Sequence, residues 1–217
     1  MSFLSDFHAH LRRDLRAKFL SLETPFGIQE YLDSMPYIAE ERDRSPLNVM
    51  LDRQCHCLDG GLFAALALWQ IGFKPLLIDL APDPGMDDDH VLALYQQNGR
   101  WGTVAKSNYV NLGFREPVYK NLRELVMTYF EHYTSTRQEK TLRSYTRPFD
   151  VSRYTHLNWA WDEAGANQLY HKHFYGRKTI PLITAHMAKR LNPVTERTYA
   201  AETIYTNLDE AFGNRNS

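Results

Sequence analysis

Cys57 stands at the position in this sequence best suited to a reactive thiol. It precedes Leu58 to Ile71, a run that is apolar almost all round and is followed by Gly72. Such a run predicts a helix that is buried on every side and ends at the glycine. The N–H groups and the dipole at the start of a helix favour an anion, so they would stabilise a thiolate there. The alternative is that Cys57 is a small buried hydrophobe, as most free cysteines are.

His90 is the residue best suited to serve that thiol as a base. It begins the first of two strand-like runs, 90–95 and 101–107, which flank Asn98-Gly99. An Asn-Gly pair between two such runs is the strongest short signal for a β-hairpin. If these two residues form the whole turn, Tyr95 faces Gly102 and the register continues inward from the turn.

Two neutral polar residues are candidates to orient the ring of His90. The regular register places Ser107 directly opposite His90, where its hydroxyl could hydrogen-bond the imidazole. A one-residue bulge at Gly99 or Gly102 would bring Asn108 to that place instead. A thiol at a helix start, a strand histidine and a polar residue on the neighbouring strand are the parts of an activated nucleophile.

The remaining elements predict an α+β fold in which helices precede and follow an antiparallel sheet. An amphipathic opening helix is expected over 3–20, and a short helix with Thr24 as N-cap and Pro25 at its first position runs to Met35. The apolar run 75–80 predicts an interior strand, and 40–46 predicts a solvated connection. Further helices are expected over 121–133, 157–172, 182–191 and 194–211.

Three segments in this order resemble the transglutaminase-like cysteine enzymes. The stretch Gln54-Cys55-His56-Cys57-Leu58-Asp59-Gly60-Gly61-Leu62-Phe63-Ala64-Ala65 resembles the nucleophile helix of that family, Asp89-His90-Val91-Leu92-Ala93-Leu94-Tyr95 its histidine strand, and Gly99-Arg100-Trp101 its following hairpin. The match covers about 45–120, and bacterial members with a His-Cys-Leu-acidic stretch are especially similar. The resemblance implies a papain-like core in which a buried helix bearing the cysteine packs on an antiparallel sheet.

The resemblance also implies roles for individual residues. Cys57 would be the nucleophile and His90 the base and acid, with the backbone N–H of Cys57 and Gln54 stabilising the oxyanion. Asp59, Asp89 and Trp101 would contact the substrate. The family usually supplies an Asp a few residues after the Trp, but the sequence has none between Trp101 and Arg115, and Ala105 stands at that place. Ser107 or Asn108 would then be the third member.

These observations predict a cysteine-dependent amide or peptide hydrolase, or an acyltransferase, that works through a thioester on Cys57. The alternative is an inactive transglutaminase-like module that binds a peptide or small ligand in the same cleft. The expected organisation is N-terminal helices (1–45), a transglutaminase-like core (46–140) and a C-terminal helical extension (141–217), which together form one compact domain. The expected partner is a peptide, amide or small acyl substrate.

Composition and motifs exclude several other classes of function. Lys and Arg total 25 against 26 Asp and Glu, so the chain lacks the basic field typical of nucleic-acid binding. Cys55-x-Cys57 does not have the spacing of a structural zinc site, and no nucleotide-binding motif occurs, so we expect neither metal nor cofactor. Two cysteines form no disulfide framework, which favours the cytoplasm. No apolar run approaches the ~20 residues of a membrane span.

Overall fold

The structure, a computed structural model, describes residues 2–214 and is of the α+β class, with helices packed on an antiparallel sheet. The helices are α1 (Phe3–His10), α2 (Arg13–Leu20), α3 (Pro25–Asp33), α4 (Pro46–Asp52), α5 (Cys57–Gln70), α6 (Leu122–Phe130), α7 (Glu163–Leu169), α8 (Ala185–Ala188) and α9 (Glu196–Glu202). The strands are β1 (Leu76–Pro82), β2 (His90–Gln97), β3 (Arg100–Val104), β4 (Arg115–Tyr119), β5 (Leu142–Thr146), β6 (Phe149–Asp150) and β7 (Thr179–Pro181). Their order is β4-β3-β2-β1-β5-β7, and β6 also pairs with β1.

The sheet is covered on both faces, which explains why β2 is apolar in consecutive positions. Val91 and Ala93 pack in the core that contains α5, whereas Leu92 and Leu94 pack in a second core with residues of α6. His90 is the first residue of this buried strand and is itself buried. The position of the histidine is therefore fixed by packing on both sides of the sheet.

The hairpin between β2 and β3 has the predicted turn and register. Tyr95 pairs with Gly102, and the φ angles of Asn98 and Gly99 are 51° and 72°, the left-handed values that a tight two-residue turn requires. The β2–β3 ladder is regular from Gln97–Arg100 to Ala93–Val104, where β3 ends. The chain beyond Val104 leaves the sheet before it comes opposite His90.

Two glycines in the first turns of α5 allow that helix to lie close to its neighbours. A Cβ at Gly60 would lie 2.4 Å from Cβ of Lys106, and one at Gly61 would lie 2.9 Å from Cγ1 of Val91. Real Cβ atoms essentially never come so close to another carbon. Gly61 thus sets the distance between the helix that carries Cys57 and the strand that begins with His90, and Gly60 sets the distance between that helix and Lys106.

The N-terminal third differs from the prediction in two places. The expected helix over 3–20 is broken into α1 and α2, because Leu11 and Arg12 are extended, with ψ angles of 132° and 157°. The expected solvated connection over 40–46 is confirmed for 40–42, which are exposed, and wrong for 43–46, since Arg44 is 1% exposed and Ser45 is fully buried. The charge of Arg44 is buried in ion pairs, which residue type alone does not reveal. The N-cap of α3 is confirmed, because Thr24 accepts a hydrogen bond from the N–H of Gly27.

The C-terminal third is less helical than predicted. Strands β5, β6 and β7 lie there, and β5 and β6 both pair with β1 at the centre of the sheet. The helix expected over 157–172 is shortened to α7 and a π-helical turn, Tyr170–Phe174. The expected helices over 182–191 and 194–211 are reduced to α8 and α9. The predicted N-terminal (1–45) and C-terminal (141–217) divisions include residues 1 and 215–217, which lie outside the part of the chain that the structure describes.

Among residues 2–214, no helix is both long enough and apolar enough to span a membrane.

Candidate active site

Cys57 is the first residue of α5 and is partly exposed. The residue before it, His56, occupies the N-cap position but makes no side-chain capping hydrogen bond. The Sγ of Cys57 lies 3.8 Å from the backbone oxygen of Asp89, to which the thiol donates weakly. The thiol therefore sits at the positive end of the helix dipole, against the residue that immediately precedes β2.

His90 is held by a backbone carbonyl. Its Nε2 lies 2.8 Å from the oxygen of Leu112, in the 3-10 turn Val110–Leu112. A carbonyl oxygen only accepts, so Nε2 must carry the proton. Burial lowers the pKa of His90 to about 4, against the effect of the bond to Leu112 and with a further contribution from the charge of Arg115. The ring is thus neutral at pH 7, and Nδ1 keeps its lone pair.

Cys57 and His90 line the same cavity, which has a volume of about 40 Å³. That is room for about two or three water molecules. Its wall also includes Tyr133, whose hydroxyl donates to the carbonyl of Asp88 at 2.6 Å. The structure therefore brings the predicted nucleophile and the predicted base to one small cavity.

Neither of the predicted orienting residues holds the ring as expected. Ser107 and Asn108 both line the cavity, but Ser107 accepts from the N–H of Tyr109 at 3.0 Å. The side-chain amide of Asn108 is bonded to the backbone of Asn207. Because β3 ends at Val104, these residues lie beyond the strand, and the carbonyl of Leu112 holds the ring where the prediction placed Ser107 or Asn108.

His56 was not singled out by the sequence reasoning as a partner for the thiol. Burial lowers its pKa, but the hydrogen bonds to Asp43 and to Cys57 and the charge of Asp59 outweigh burial and raise the pKa to about 10. His56 is therefore a cation at pH 7, in contact with the nucleophile. Its adjacency to Cys57 in the sequence was the available signal, but Asp43 is remote in sequence and no spacing links the two.

Asp59 is structural and not a substrate contact, which corrects the prediction. It is fully buried, and its Oδ1 accepts from the backbone N–H of Arg44 at 2.7 Å. It also lies 3.4 Å from Nε2 of His56. Burial raises the pKa of Asp59 to about 6, although the charges of His56 and Arg44 lower it. The side chain anchors residue 44 to the first turn of α5.

Asp43, His56 and Asp59 form a group whose ligand-type atoms lie within 4.8 Å of one another. The guanidinium of Arg44 lies 3.6 Å from Oδ2 of Asp59. With His56 protonated, two cations face the two carboxylates, so the group is balanced by its own charges. A divalent cation would have to displace the proton of His56 and approach Arg44.

The structure places the remaining predicted site residues, Asp89, Gln54 and Trp101, in different surroundings. Asp89 lines the cavity through a buried carboxyl whose pKa burial raises, and the same carboxyl group is electrostatically linked to Asp79. Gln54 lies outside the walls of the cavities described at Cys57, so its predicted oxyanion role gains no support. Trp101 lines a separate pocket with Gly72 and Leu94 and not the cavities at Cys57, so its predicted contact with the substrate gains no support. Cys55 is fully buried, and burial raises its pKa to about 12.

Two larger clefts adjoin the small cavity. One, of about 600 Å³, shares Ser107, Asn108 and Tyr109 with it and extends to Phe26 and Phe114. The other, of about 280 Å³, contains Cys57 itself. Its wall carries the side chains of Glu40, Glu41, Asp43, His56, Asp88, Asp89, His171 and Tyr175. Tyr37 lines the small cavity and both clefts. The cavity and the two clefts are therefore neighbours, and together they extend to both sides of the Cys57 thiol.

No family model matches the chain, and a comparison with curated proteins found no match. Among solved structures the chain is similar to LapG of Legionella pneumophila, with 12% identity, a TM-score of 0.37 and coverage of 52% of this chain and 76% of that chain. The EGTA-treated form gives 12% identity, a TM-score of 0.38 and coverage of 54% and 75%. The calcium-bound form gives 12%, 0.38, 54% and 77%. A likeness at this level assigns no activity and no residue role.

Proposed function

We propose that this protein is a cysteine-dependent amide hydrolase or acyltransferase with a papain-like arrangement of its site, and that Cys57 forms a thioester with the substrate. The observation that carries the proposal is the shared cavity of Cys57 and His90. In it a thiol at a helix start faces the same small volume as a neutral histidine. The bond to Leu112 leaves Nδ1 of that histidine as the ring's proton acceptor.

In the proposed reaction His90 first takes the proton of the Cys57 thiol at Nδ1. The thiolate attacks the carbonyl carbon of the substrate, which forms a C–S bond and a tetrahedral oxyanion. The oxyanion collapses, the C–N bond breaks, and the departing amine receives the proton from His90. Water, or an acceptor amine, then loses a proton to His90 and attacks the thioester, which releases the acyl product and restores the thiol.

Two features of the site place positive groups next to the atoms that carry negative charge during the proposed reaction. The backbone N–H of Cys57 lies at the uncapped start of α5, where it can donate to an oxyanion. The cation of His56 hydrogen-bonds Cys57, so a positive charge lies beside the sulfur that attacks the substrate. An ion pair at about 4 Å is worth roughly 1 to 4 kcal/mol between the limits of water and a protein surface. His56 therefore supports the nucleophile, while His90 moves the proton.

The clefts on the two sides of Cys57 favour a peptide or another extended amide as substrate. The larger cleft, about 600 Å³, is within the range typical of ligand sites. A chain that crosses the small cavity would extend into both clefts. The acyl part and the amine part of the substrate would then each have a surface to bind.

The test is formation of an acyl-enzyme with a small activated ester, p-nitrophenyl acetate. We expect a burst of one nitrophenolate per chain and an acetyl group on Cys57 in the peptide mass map. Cys57→Ala should abolish the burst, and Cys55→Ala should retain it because Cys55 is buried. His90→Ala should slow acylation by about 10²- to 10⁴-fold, the usual contribution of a general base. Acylation that is unchanged in His90→Ala would overturn the mechanism.

A binding module without catalysis is the second candidate, and one observation favours it. Burial lowers the pKa of His90 to about 4, which makes the ring a weak base. Such a module would bind amide-containing ligands in the same clefts and would give no burst with the ester. The ester experiment therefore separates the two functions directly.

A further inference from the structure

The chain after α9 returns to the candidate active site. Asn207 begins a 3-10 turn, Leu208–Glu210, and Glu210, Ala211 and Phe212 then form part of the wall of the cavity that contains Cys57 and His90. We refer to residues 207–212 as the covering segment. Ala211 is 2% exposed, so this part of the segment is packed inward against the site.

Asn108 binds the backbone of the covering segment at two points. Its Nδ2 donates to the carbonyl of Asn207 at 2.8 Å, and its Oδ1 accepts from the N–H of the same residue at 3.0 Å. An amide side chain that takes both backbone groups of one residue recognises a peptide regardless of its side chain. Asn108 thus makes with this segment the kind of contact that a peptide-binding cleft makes with an external peptide.

Two further contacts hold the segment next to the thiol. The backbone N–H of Ala39 donates to Oε2 of Glu210 at 2.7 Å, a charge-assisted hydrogen bond. The hydroxyl of Thr136 donates to the carbonyl of Phe212 at 3.4 Å. The segment therefore places a carboxylate in a backbone donor site and, directly after it, a small buried residue, Ala211, in the wall of the cavity.

The covering segment is attached to the rest of the molecule by the hydrogen bonds described above and by one buried residue, Ala211. Neither α9 nor the 3-10 turn contains a buried residue. A neutral hydrogen bond contributes about 0.5 to 1.5 kcal/mol net, and one to a charged group about 1.5 to 3 kcal/mol. Segments with so few buried contacts open locally at a small fraction of the free energy of global unfolding. We therefore expect the segment to detach while the sheet and α5 stay folded.

We propose that the covering segment is an internal inhibitor that occupies a peptide-binding subsite between Cys57 and Asn108. The inference rests on the proposed function, because it assigns the substrate class of that site. The ligand that displaces the segment is a peptide whose backbone binds Asn108 and which carries an acidic residue followed by a small one, as Glu210 and Ala211 do here. The site is then closed to peptides, although not to a small ester, until such a peptide displaces the segment or the segment detaches.

The test is binding of a fluorescent peptide with the sequence of residues 206–214, measured by polarisation. All chains carry Cys57→Ala, so no thiol chemistry contributes to the signal. We expect saturable binding to a chain that ends at Thr206. Binding to the full chain should be at least about tenfold weaker, because the tethered segment competes at a high effective concentration.

Two matched peptides test the recognition itself. The peptide with Glu210→Ala should bind the shortened chain about tenfold more weakly, since it loses a charge-assisted hydrogen bond. The peptide with Asp209→Ala should bind like the parent, because that side chain is exposed. Equal binding of both would overturn the acidic specificity, and no binding of the parent peptide would overturn the subsite.

A full-length variant covers the case in which the shortened chain does not fold. Ala211→Trp cannot fit its side chain into a cavity of about 40 Å³, so the segment should leave and the peptide should bind. Ala200→Trp, at an exposed position of α9, is the matched control and should bind as weakly as the parent chain. Failure of Ala211→Trp to bind the peptide in a folded chain would overturn the proposal.

The outcomes distinguish this inference from the proposed function. Peptide binding without an ester burst would retain the covering segment as an inhibitor of a binding site and remove the acyl chemistry. An ester burst without peptide binding would retain the chemistry and remove the inhibitor.

Discussion

His56 and His90 have opposite protonation states beside the same thiol. His56 has two carboxylates and the thiol as neighbours, and its pKa is raised to about 10 against the effect of burial. His90 has a carbonyl and no carboxylate as its hydrogen-bond partner, and burial lowers its pKa to about 4. Different neighbours thus give one histidine a permanent charge and the other a free lone pair.

A first prediction at the residue scale concerns His56 and pH. A histidine whose pKa is raised on folding stabilises the fold fully below its unfolded value, near 6.5, and this stabilisation is lost as pH rises through about 10. We expect the free energy of unfolding, from urea titrations, to fall between pH 7 and pH 10. In His56→Gln that slope should flatten, and a slope equal to that of the parent would contradict the assignment.

The same substitution should change the reactivity of the thiol. Without the positive charge of His56 beside the sulfur, iodoacetamide labelling of Cys57 at pH 6 should slow by about tenfold. His10→Gln is the control, since His10 lies on α1 and is exposed. Labelling followed by peptide mass separates Cys57 from the buried Cys55.

At the scale of elements, the close packing of α5 on β2 determines how near Cys57 lies to His90. The hairpin and the buried helix were predictable because Asn-Gly turns and all-apolar helices are local signals. The end of the β2–β3 pairing at Val104 was not predictable, because no residue type marks where β3 leaves the sheet. For the same reason the carbonyl of Leu112, which has no sequence signature at all, took the place expected for Ser107 or Asn108.

We expect Gly61→Ala to destabilise the fold by about 1 to 3 kcal/mol, the usual range for overpacking. Its Cβ would lie 2.9 Å from Cγ1 of Val91. Val91→Ala removes that methyl group, so the double variant should lose less stability than the sum of the single variants. Additive losses in thermal and urea unfolding would show that the contact does not limit the approach of α5 to β2.

At the scale of the molecule, the ion pairs of the buried Arg44 and of the partly exposed Arg42 link distant parts of the chain around the start of α5. Arg44 pairs with Glu40, Asp52 and Asp59, and Arg42 pairs with Asp52 and with Glu163 of α7. The sequence reasoning placed 40–46 in solvent because charged residues are rarely buried. Partners from distant parts of the chain compensate these charges, and such pairing cannot be read from local composition.

Arg44→Ala should be strongly destabilising, by about 3 to 5 kcal/mol, because it leaves the buried carboxylate of Asp59 without its guanidinium. Arg12→Ala is the matched control. Arg12 pairs with Asp14 in an exposed position, where an ion pair contributes about 0 to 1 kcal/mol. Urea unfolding of both variants measures the difference, and equal losses would contradict a structural role for the buried cluster.

The pairing of β1 with β5 has a consequence for synthesis of the chain. While the protein is being made, β1 gains β2 as a neighbour early, but its other edge stays open until Tyr145 and its neighbours have been added. An open edge of an apolar strand is a site where nascent chains pair with one another. We expect polysomes translating this protein to depend on a ribosome-associated chaperone during the interval between β2 and β5.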